Sequence, residues 1–130
     1  MTSQEARDIF FQRLRGVMTL ADYLTDRLLL KGEGFGKLAT DRQRNIEDFL
    51  KGLSADQKTG AAELIHELVE TTLFHLLVTL DGDSGPPLIP GQQASFVLGI
   101  EIADKSIAQI APGPIELHDE FFRRIAPNSA

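Results

Sequence analysis

"IFFQRLRGVMTLADYLTDRLLL", residues 9–30, decides the fold class, because its apolar residues recur at helical spacing along almost its whole length. One row falls at steps of four and three and forms a continuous face: Phe10, Leu14, Val17, Ala21, Leu24 and Leu28. A second row widens this face beyond what a lone surface helix requires: Phe11, Met18 and Leu29, with Ile9 and Leu20 beside them. Thr2 and Glu5 form a capping box ahead of both rows. The sequence therefore predicts one long helix over residues 3–30, either central in the fold or packed against a second copy.

Two more helices are predicted downstream, and each begins with a capping signal. Thr40 with Gln43 opens a short second helix. Ser54 with Gln57 opens a long third helix that runs to about Leu80. The last two turns of this third helix are apolar almost all round, so we expect them to be the most buried part of the protein.

The C-terminal third of the chain changes period and indicates β-structure. Apolar residues alternate in steps of two over 95–102, which predicts a strand. A turn at Asp104 and Lys105 follows, and residues 106–110 are either a second strand or a helical turn. "PIELHDEFFRRI" predicts a short closing helix with Pro114 near its first turn.

The predicted fold class is α+β and predominantly α-helical. A three-helix core is followed by a small β-hairpin or single strand and a short C-terminal helix. A chain of 130 residues that is 42% hydrophobic is long enough for one real core, so a single globular domain is expected over 1–126, with a frayed tail over 127–130.

Composition excludes several classes of function. The chain has no Cys, which excludes disulfides, thiolate metal sites and cysteine nucleophiles. Its start lacks the basic and apolar regions of an export signal, and about 18 apolar residues never run together. The sequence therefore predicts a cytoplasmic protein that makes no contact with a membrane.

Charge is distributed unevenly along the chain. Residues 61–130 hold three Lys/Arg against ten Asp/Glu, a net charge of minus 7, whereas residues 1–60 are nearly neutral. Binding to a phosphate backbone needs Lys and Arg, so no nucleic-acid partner is expected. An acidic surface is instead a plausible docking face for a basic protein.

The stretch "TLDGDSGPPLIPG", residues 79–91, resembles two functional motifs in part. Its G-D-S-G letters are those of the trypsin-like nucleophile segment, but a serine nucleophile needs a base and an oxyanion site, and everything before Ser84 is predicted to be helical. A calcium loop that starts at Asp81 would need an oxygen ligand, Gly and Glu at its fifth, sixth and twelfth positions. The sequence supplies Gly85, Pro86 and Gln92 there. We interpret the stretch as a helix end, capped by Gly82 in the left-handed conformation, followed by a surface loop.

The glycine-rich segment before the second helix also matches a motif only in part. Gly34, Gly36 and Ala39 have the spacing of the dinucleotide fingerprint, which requires a preceding buried strand that the sequence does not predict. Lys37 is followed by Leu38, which excludes a phosphate loop. The segment is interpreted as a flexible connection between helices.

The third helix carries the strongest candidate for metal chemistry, in "AAELIHELVE". Glu63 and His66 form one E-x-x-H unit, but di-iron bundles require two such units, and Glu70 occupies the place of the second His in the zinc-protease motif. We expect a solvent-facing strip on which His66 pairs with Glu70. His75 is expected to be buried or half-buried. A metal-dependent enzyme centred on Glu63, His66, Glu67 and Glu70 is kept as an alternative.

With these signatures incomplete, the leading prediction is a non-catalytic protein-binding module that has no catalytic residue, cofactor or metal ion. Its partner would be a basic protein that meets acidic side chains of the C-terminal half. The candidate partner-binding residues are Asp81, Asp83, Glu101, Asp104, Glu116, Asp119 and Glu120. A further alternative is a structural homo-oligomer that packs on the broad face of the first helix.

The order of segments resembles one class of small proteins. A long helix that ends in "LFHLLVTLDGDSG", then a β-segment, then a helix "ELHDEFFRRI" is similar in layout to bacterial immunity proteins, the cytoplasmic partners of toxins. The resemblance covers the C-terminal half. It implies that the protein inhibits a basic toxin domain by occlusion, through a tight, non-catalytic complex.

Overall fold

The computed structural model describes residues 1–82 and 89–125, and it confirms a predominantly α-helical α+β fold. In chain order the helices are α1 (Ser3–Thr25), which continues into one π-helical turn (Asp26–Leu30), α2 (Asp41–Lys51), α3 (Ala55–Leu80) and α4 (Leu117–Arg124). The strands are β1 (Leu98–Glu101) and β2 (Ile107–Ala111). No helix in the described part of the chain is long and apolar enough to span a membrane.

The capping signals set the helix starts as predicted. Thr40 and Gln43 form a complete capping box at the start of α2, in which each side chain accepts a hydrogen bond from the other's backbone N–H. Ser54 and Gln57 make the same reciprocal pair before α3. Each box satisfies two backbone donors that the first helical turn would otherwise leave unpaired. Gly82 follows α3 with φ of +80°, which confirms the predicted left-handed cap.

Strands β1 and β2 form an antiparallel hairpin. The segment 106–110, for which the sequence predicts either a second strand or a helical turn, therefore contributes a strand. Leu98 pairs with Ala111 and Glu101 with Ile107, with one irregularity between Leu98 and Gly99. The connecting turn lies at Asp104 and Lys105, as predicted. β2 turns Ala108 and Ile110 inward, which gives the sheet one buried face.

The chain forms two compact units, which divide α1 and α3 between them. Unit 1 consists of residues 1–16 and 70–130, and unit 2 of residues 17–69. The single domain predicted over 1–126 stays a prediction, and the tail predicted over 127–130 lies outside the described residues.

The apolar core belongs to unit 1. Its fully buried side chains include Leu77 of α3 and Leu117 and Phe121 of α4. These pack with Ala6 and Phe11 of α1 and with the inward residues of β2. An aromatic group continues the core, in which the Phe74 ring lies 4.7 Å from that of Phe122 and 6.4 Å from that of Phe121. The N-terminal helix and the C-terminal helix are thereby joined through one core.

Unit 2 buries much less. Of residues 17–69, all of which the structure describes, only Met18 and Leu29 are buried. α2 has no buried residue. The glycine-rich connection is held by polar contacts, because Glu47 accepts a hydrogen bond of 2.7 Å from Phe35 N and Arg44 donates one of 2.7 Å to Gly36 O.

Four details differ from expectation. Along α1 and its π-helical turn, Phe11, Met18 and Leu29 of the second apolar row are buried, while Ile9 and Leu20 beside them are exposed. Val17 and Leu24 of the first row are exposed as well. Both rows satisfy the helical period, so periodicity alone does not choose between them. In the last turns of α3, Leu77 is 1% exposed but its neighbour Leu76 is 50% exposed, because only one side of this helix meets the core. His75 is exposed rather than buried, with its ring edge-on to Phe74.

The fourth difference concerns the start of α4. This helix begins at Leu117, with Glu116 as N-cap, so Pro114 precedes it instead of lying in its first turn. The reason is a contact that is distant in sequence. Asp81 accepts hydrogen bonds from the backbone N–H groups of Leu117 and His118, and these bonds fix where the helix starts.

Candidate functional site

Asp81, the first of the predicted partner-binding acids, accepts hydrogen bonds from other residues of unit 1. Its carboxylate is 6% exposed and accepts bonds of 2.9 Å from Leu117 N and 3.0 Å from His118 N. It also accepts one of 2.7 Å from His118 Nδ1. Glu116 makes no capping bond with its own side chain, so Asp81 supplies the cap of α4 from the end of α3.

Glu120 is buried as well, between two arginines. Its carboxylate lies 3.5 Å from Arg7 Nε and 2.9 Å from Arg124 Nη2. Arg7 also donates to the carbonyl oxygens of Ile110, at 2.7 Å, and Ile115. Glu120 and Arg7 therefore join α1, the end of the hairpin and α4, which is a structural role.

The other predicted acids among the described residues are exposed and lie on two elements, the hairpin and the start of α4. Glu101 lies on β1 and Asp104 in the hairpin turn. Hydrogen bonds from the hydroxyl and backbone of Ser106 lower the pKa of Asp104. Glu116 and Asp119 lie at the start of α4, beside His118. Asp83 lies outside the described residues.

His118 and three carboxylates form a cluster that the sequence did not reveal; we call Asp81, Glu116, His118 and Asp119 the His118 cluster. His118 Nε2 lies 3.4 Å from Glu116 Oε2 and 3.6 Å from Asp119 Oδ1. The imidazole is largely enclosed, with its ring edge-on to Phe74 at 5.6 Å. Burial lowers the pKa of His118, but the bond to Asp81 and the charges of Asp119, Asp81 and Glu116 outweigh it, so the pKa is raised overall.

A ligand set for a metal ion exists within this cluster. Asp81, Glu116 and His118 each offer a ligand atom, and these atoms lie within 4.8 Å of one another. Among residues 1–82 and 89–125 it is the only such group of three or more His, Asp or Glu side chains. The adjacent letters "ELHDE" were visible in the sequence. Asp81 is 37 residues from His118, and no sequence signal linked the two.

The sequence also offered four candidate metal ligands on α3: Glu63, His66, Glu67 and Glu70. His66 Nδ1 lies 2.9 Å from Asp22 Oδ1 of α1, a contact that the sequence did not predict. Glu70 is buried, whereas Glu63 and Glu67 are exposed. Ligand atoms of these four residues do not come together as those of the His118 cluster do.

Unit 2 presents large apolar side chains to solvent on each of its helices. Leu20 of α1 is 55% exposed and Phe49 of α2 is 68% exposed. We call the following set the unit 2 apolar surface: Val17, Leu20 and Leu24 of α1, Phe49 of α2, and Leu64 and Leu68 of α3. Unit 1 also exposes large apolar side chains, among them Leu76, Val97 and Ile107, but it contains a buried core, whereas only two residues of unit 2 are buried.

A groove beside the glycine-rich connection is a weaker candidate. It encloses about 360 Å³ and is lined by apolar side chains, chiefly Leu24, Leu28 and Phe35. Its charged groups, Arg27 and Glu33, are paired with each other. Small-molecule sites usually orient their ligands with unpaired polar groups, and this pair does not provide them.

Comparison with known proteins adds no assignment: no protein-family model, curated protein or solved structure matches this chain.

Proposed function

We propose that this protein is a non-catalytic protein-binding module whose contact surface is the unit 2 apolar surface. One observation carries the proposal: unit 2 buries only two residues while leaving large apolar side chains exposed on all three of its helical segments. Monomeric soluble proteins rarely expose extended apolar surface, and where they do it commonly marks a protein–protein contact.

Energetics favours an occupant for this surface. Full burial of a Val, Leu or Phe side chain is worth about 1.5–3 kcal/mol. The six side chains of the unit 2 apolar surface are each 45% to 68% exposed, so much of that free energy is unused in the isolated chain. A protein partner would recover it.

The partner that fits best is a second copy of the chain. Val17, Leu20 and Leu24 follow one another at steps of three and four, which is the spacing of a helix–helix seam. Residues 17–69 carry seven Lys/Arg and nine Asp/Glu, a net charge of minus 2, so two copies would meet with little repulsion. A closed dimer in which the same surface faces itself is the most common assembly of soluble proteins.

The test is the mass of the protein in solution, measured by light scattering at two concentrations. We expect twice the chain mass of 14.3 kDa for the unaltered protein. Leu20→Glu should shift it toward the monomer, because a carboxylate cannot be buried there without a partner. Gln12→Glu, an equally acidic change at an exposed position of α1 in unit 1, serves as the matched control.

Two results would reject self-association through the unit 2 apolar surface. One is a monomer at both concentrations. The other is an equal mass for Leu20→Glu and the unaltered chain. A monomer that nevertheless binds an added protein, and loses that binding in Leu20→Glu, would keep the module and change its partner.

Binding of a basic protein through the acidic half is the second candidate, and inhibition of a toxin is its narrower form. The exposure of Glu101, Asp104, Glu116 and Asp119 favours it. Its test must avoid Asp81 and Glu120, since their replacement would disturb the fold. Capture of a basic protein that is lost in Glu101→Lys with Asp104→Lys, and kept in Asp48→Lys at an exposed position of unit 2, would support it; equal capture would reject it.

A further inference from the structure

Two cavities of unit 2 lie side by side along the glycine-rich connection. The larger, of about 360 Å³, is the groove lined chiefly by Leu24, Leu28 and Phe35. A second cavity of about 150 Å³ shares Leu28, Glu33 and Gly34 with it. Because the two cavities have part of their walls in common, they form one groove with two ends, which we call the Leu28 groove.

The two ends of the Leu28 groove differ in chemical character. The lining side chains of the larger end are apolar except for Arg27 and Glu33. An apolar cavity of about 150 Å³ already holds a molecule as large as benzene, so the larger end has room for an aliphatic body. The smaller end is lined by Lys51, the last residue of α2, and Lys58, near the start of α3. One end therefore suits an apolar group and the other suits a negative charge.

The carboxylates of the groove do not cancel the charges of these lysines, because each carboxylate has an arginine partner. Glu33 forms an ion pair with Arg27, and Glu47 forms one of 2.9 Å with Arg44. Glu47 also accepts a hydrogen bond from the backbone N–H of Phe35. These two ion pairs leave the lysines as excess positive charge at the smaller end of the groove.

Lys51 and Lys58 are the polar groups that can orient a ligand in the groove. In the part of the chain that the structure describes, neither ammonium group makes an ion pair or a side-chain hydrogen bond with another residue. Lys58 is half-buried where it lines the groove, whereas Lys51 is exposed. An ammonium group has three N–H donors and no acceptor, which matches the acceptor-only oxygens of a carboxylate.

We infer that the Leu28 groove binds a small amphipathic carboxylate, of the class of medium-chain fatty acid anions. The alkyl chain lies in the larger end, against Leu24, Leu28 and Phe35, and the carboxylate accepts hydrogen bonds from Lys51 and Lys58. Burial of apolar area supplies most of the binding free energy, and the lysines set the orientation, which is the usual division of roles in small-molecule sites.

This site is distinct from the self-association proposed for unit 2. Leu24 is the one residue that belongs both to the groove and to the unit 2 apolar surface. Leu20 does not line the groove, so Leu20→Glu should bind the carboxylate with unchanged affinity. Binding retained in this variant supports the site whether or not the chain self-associates. Binding lost in it would place the ligand on the unit 2 apolar surface and overturn the inference.

Calorimetric titration of the full chain with octanoate tests the two halves of the ligand. We expect one octanoate per chain, with an affinity about tenfold or more above that of butanoate and of octan-1-ol. Butanoate keeps the carboxylate and shortens the alkyl chain, whereas octan-1-ol keeps the alkyl chain and removes the charge. Both parts of the groove have to be occupied for octanoate to bind more tightly than either.

Variants of the lysines test where the carboxylate lies. Lys51→Gln and Lys58→Gln should each weaken octanoate binding about threefold or more, and leave the binding of octan-1-ol unchanged. Lys37→Gln is the matched control, because Lys37 is exposed in the same unit and does not line the groove. Lys58→Arg keeps the positive charge and should restore most of the affinity, which separates a lost charge from a disturbed fold.

Three further results would each overturn the inference. The first is the absence of saturable heat up to millimolar octanoate. The second is equal affinity for octanoate and octan-1-ol, which would mean that the lysines take no part. The third is the same octanoate affinity in Lys37→Gln as in both Lys51→Gln and Lys58→Gln, which would leave only a general effect of charge.

Discussion

Unit 1 and unit 2 are built from the same two long helices but are stabilised in different ways. In unit 1, the first part of α1 and the last part of α3 bury their apolar residues together with the hairpin and α4. In unit 2, the rest of α1 with its π-helical turn buries only Met18 and Leu29, and the rest of α3 buries no residue. The difference shows that helical periodicity defines which faces are apolar, whereas burial depends on which segments are present to cover them.

The polar interactions of the two units follow the same division. Those of unit 1 join positions far apart in sequence, such as Arg7 with Ile110 and Asp81 with Leu117. Those of unit 2 include capping boxes and an ion pair between Arg44 and Glu47, which are close in sequence, although the exposed contact of His66 with Asp22 joins positions 44 residues apart. Long-range bonds among buried groups stabilise tertiary structure, while local exposed pairs contribute little.

The largest expected effect is that of removing an aromatic ring from the core. Phe121 is fully buried, so Phe121→Ala should lower the free energy of unfolding by about 3–5 kcal/mol. Phe49→Ala removes the same ring from unit 2, where it is 68% exposed, and should change stability by less than about 0.5 kcal/mol. Urea unfolding at a concentration where the protein is monomeric measures both.

This pair tests the comparison directly. A loss for Phe49→Ala as large as that for Phe121→Ala would mean that unit 2 has a core of its own. If Phe49→Ala costs stability only at high protein concentration, its ring is buried by self-association.

The next effect concerns the buried ion pair. Glu120→Ala leaves the buried Arg7 guanidinium without its carboxylate partner, and loss of one member of a buried pair typically costs about 3 kcal/mol. Glu101→Ala removes an exposed carboxylate from the same unit and should have almost no effect. Thermal unfolding of both variants checks this, and equal melting temperatures would show that Arg7 is held by its two carbonyl contacts alone.

Much of the fold was predictable because its determinants are local. The capping boxes at Thr40 and Ser54 involve residues three apart, so they could be read directly and are confirmed. The turn at Asp104 and Lys105 was predicted on the same basis. Helix caps and turns of this kind depend on hydrogen bonds between residues that are close in sequence, so the residue types at short spacing predict them.

The candidate sites were harder to predict because they depend on contacts between distant segments. Asp81 and Glu120 looked like free surface acids, but their partners, His118 and Arg7, are 37 and 113 residues away in the chain. The choice between two adjacent apolar rows of α1 also depends on what packs against each row. Neither kind of information is present in periodicity or composition.

A smaller effect is expected at the start of α2. Thr40→Ala removes the hydroxyl that accepts from Gln43 N, and loss of an N-cap typically costs about 1 kcal/mol. Because α2 has no buried residue, this local bond should matter more to the helix than any single packing contact. Hydrogen exchange of the α2 amides measures the change, and unchanged protection would show that tertiary contacts hold the helix.

The smallest effects are expected at two glycines, and they should have opposite signs. Gly16 lies within α1 with nothing within 4 Å of an added Cβ, so Gly16→Ala should raise stability by about 0.5–1 kcal/mol. At Gly34 an added Cβ would lie 2.9 Å from Glu47 Oε1. The same oxygen accepts the 2.7 Å hydrogen bond from Phe35 N. This bond is the main cause of the lowered pKa of Glu47, and the hydrogen bond from Arg44 is the second cause.

Gly34→Ala must therefore displace a carboxylate that holds the connection between α1 and α2, and we expect it to lower stability. Glu47→Gln in the same background separates the causes, because a neutral side chain is held less strongly and can move away from the new methyl group. If Gly34→Ala instead stabilises the protein, as Gly16→Ala is expected to do, the Glu47 side chain can move aside at little cost in free energy. The polar contacts of Glu47 would then contribute little to the stability of unit 2.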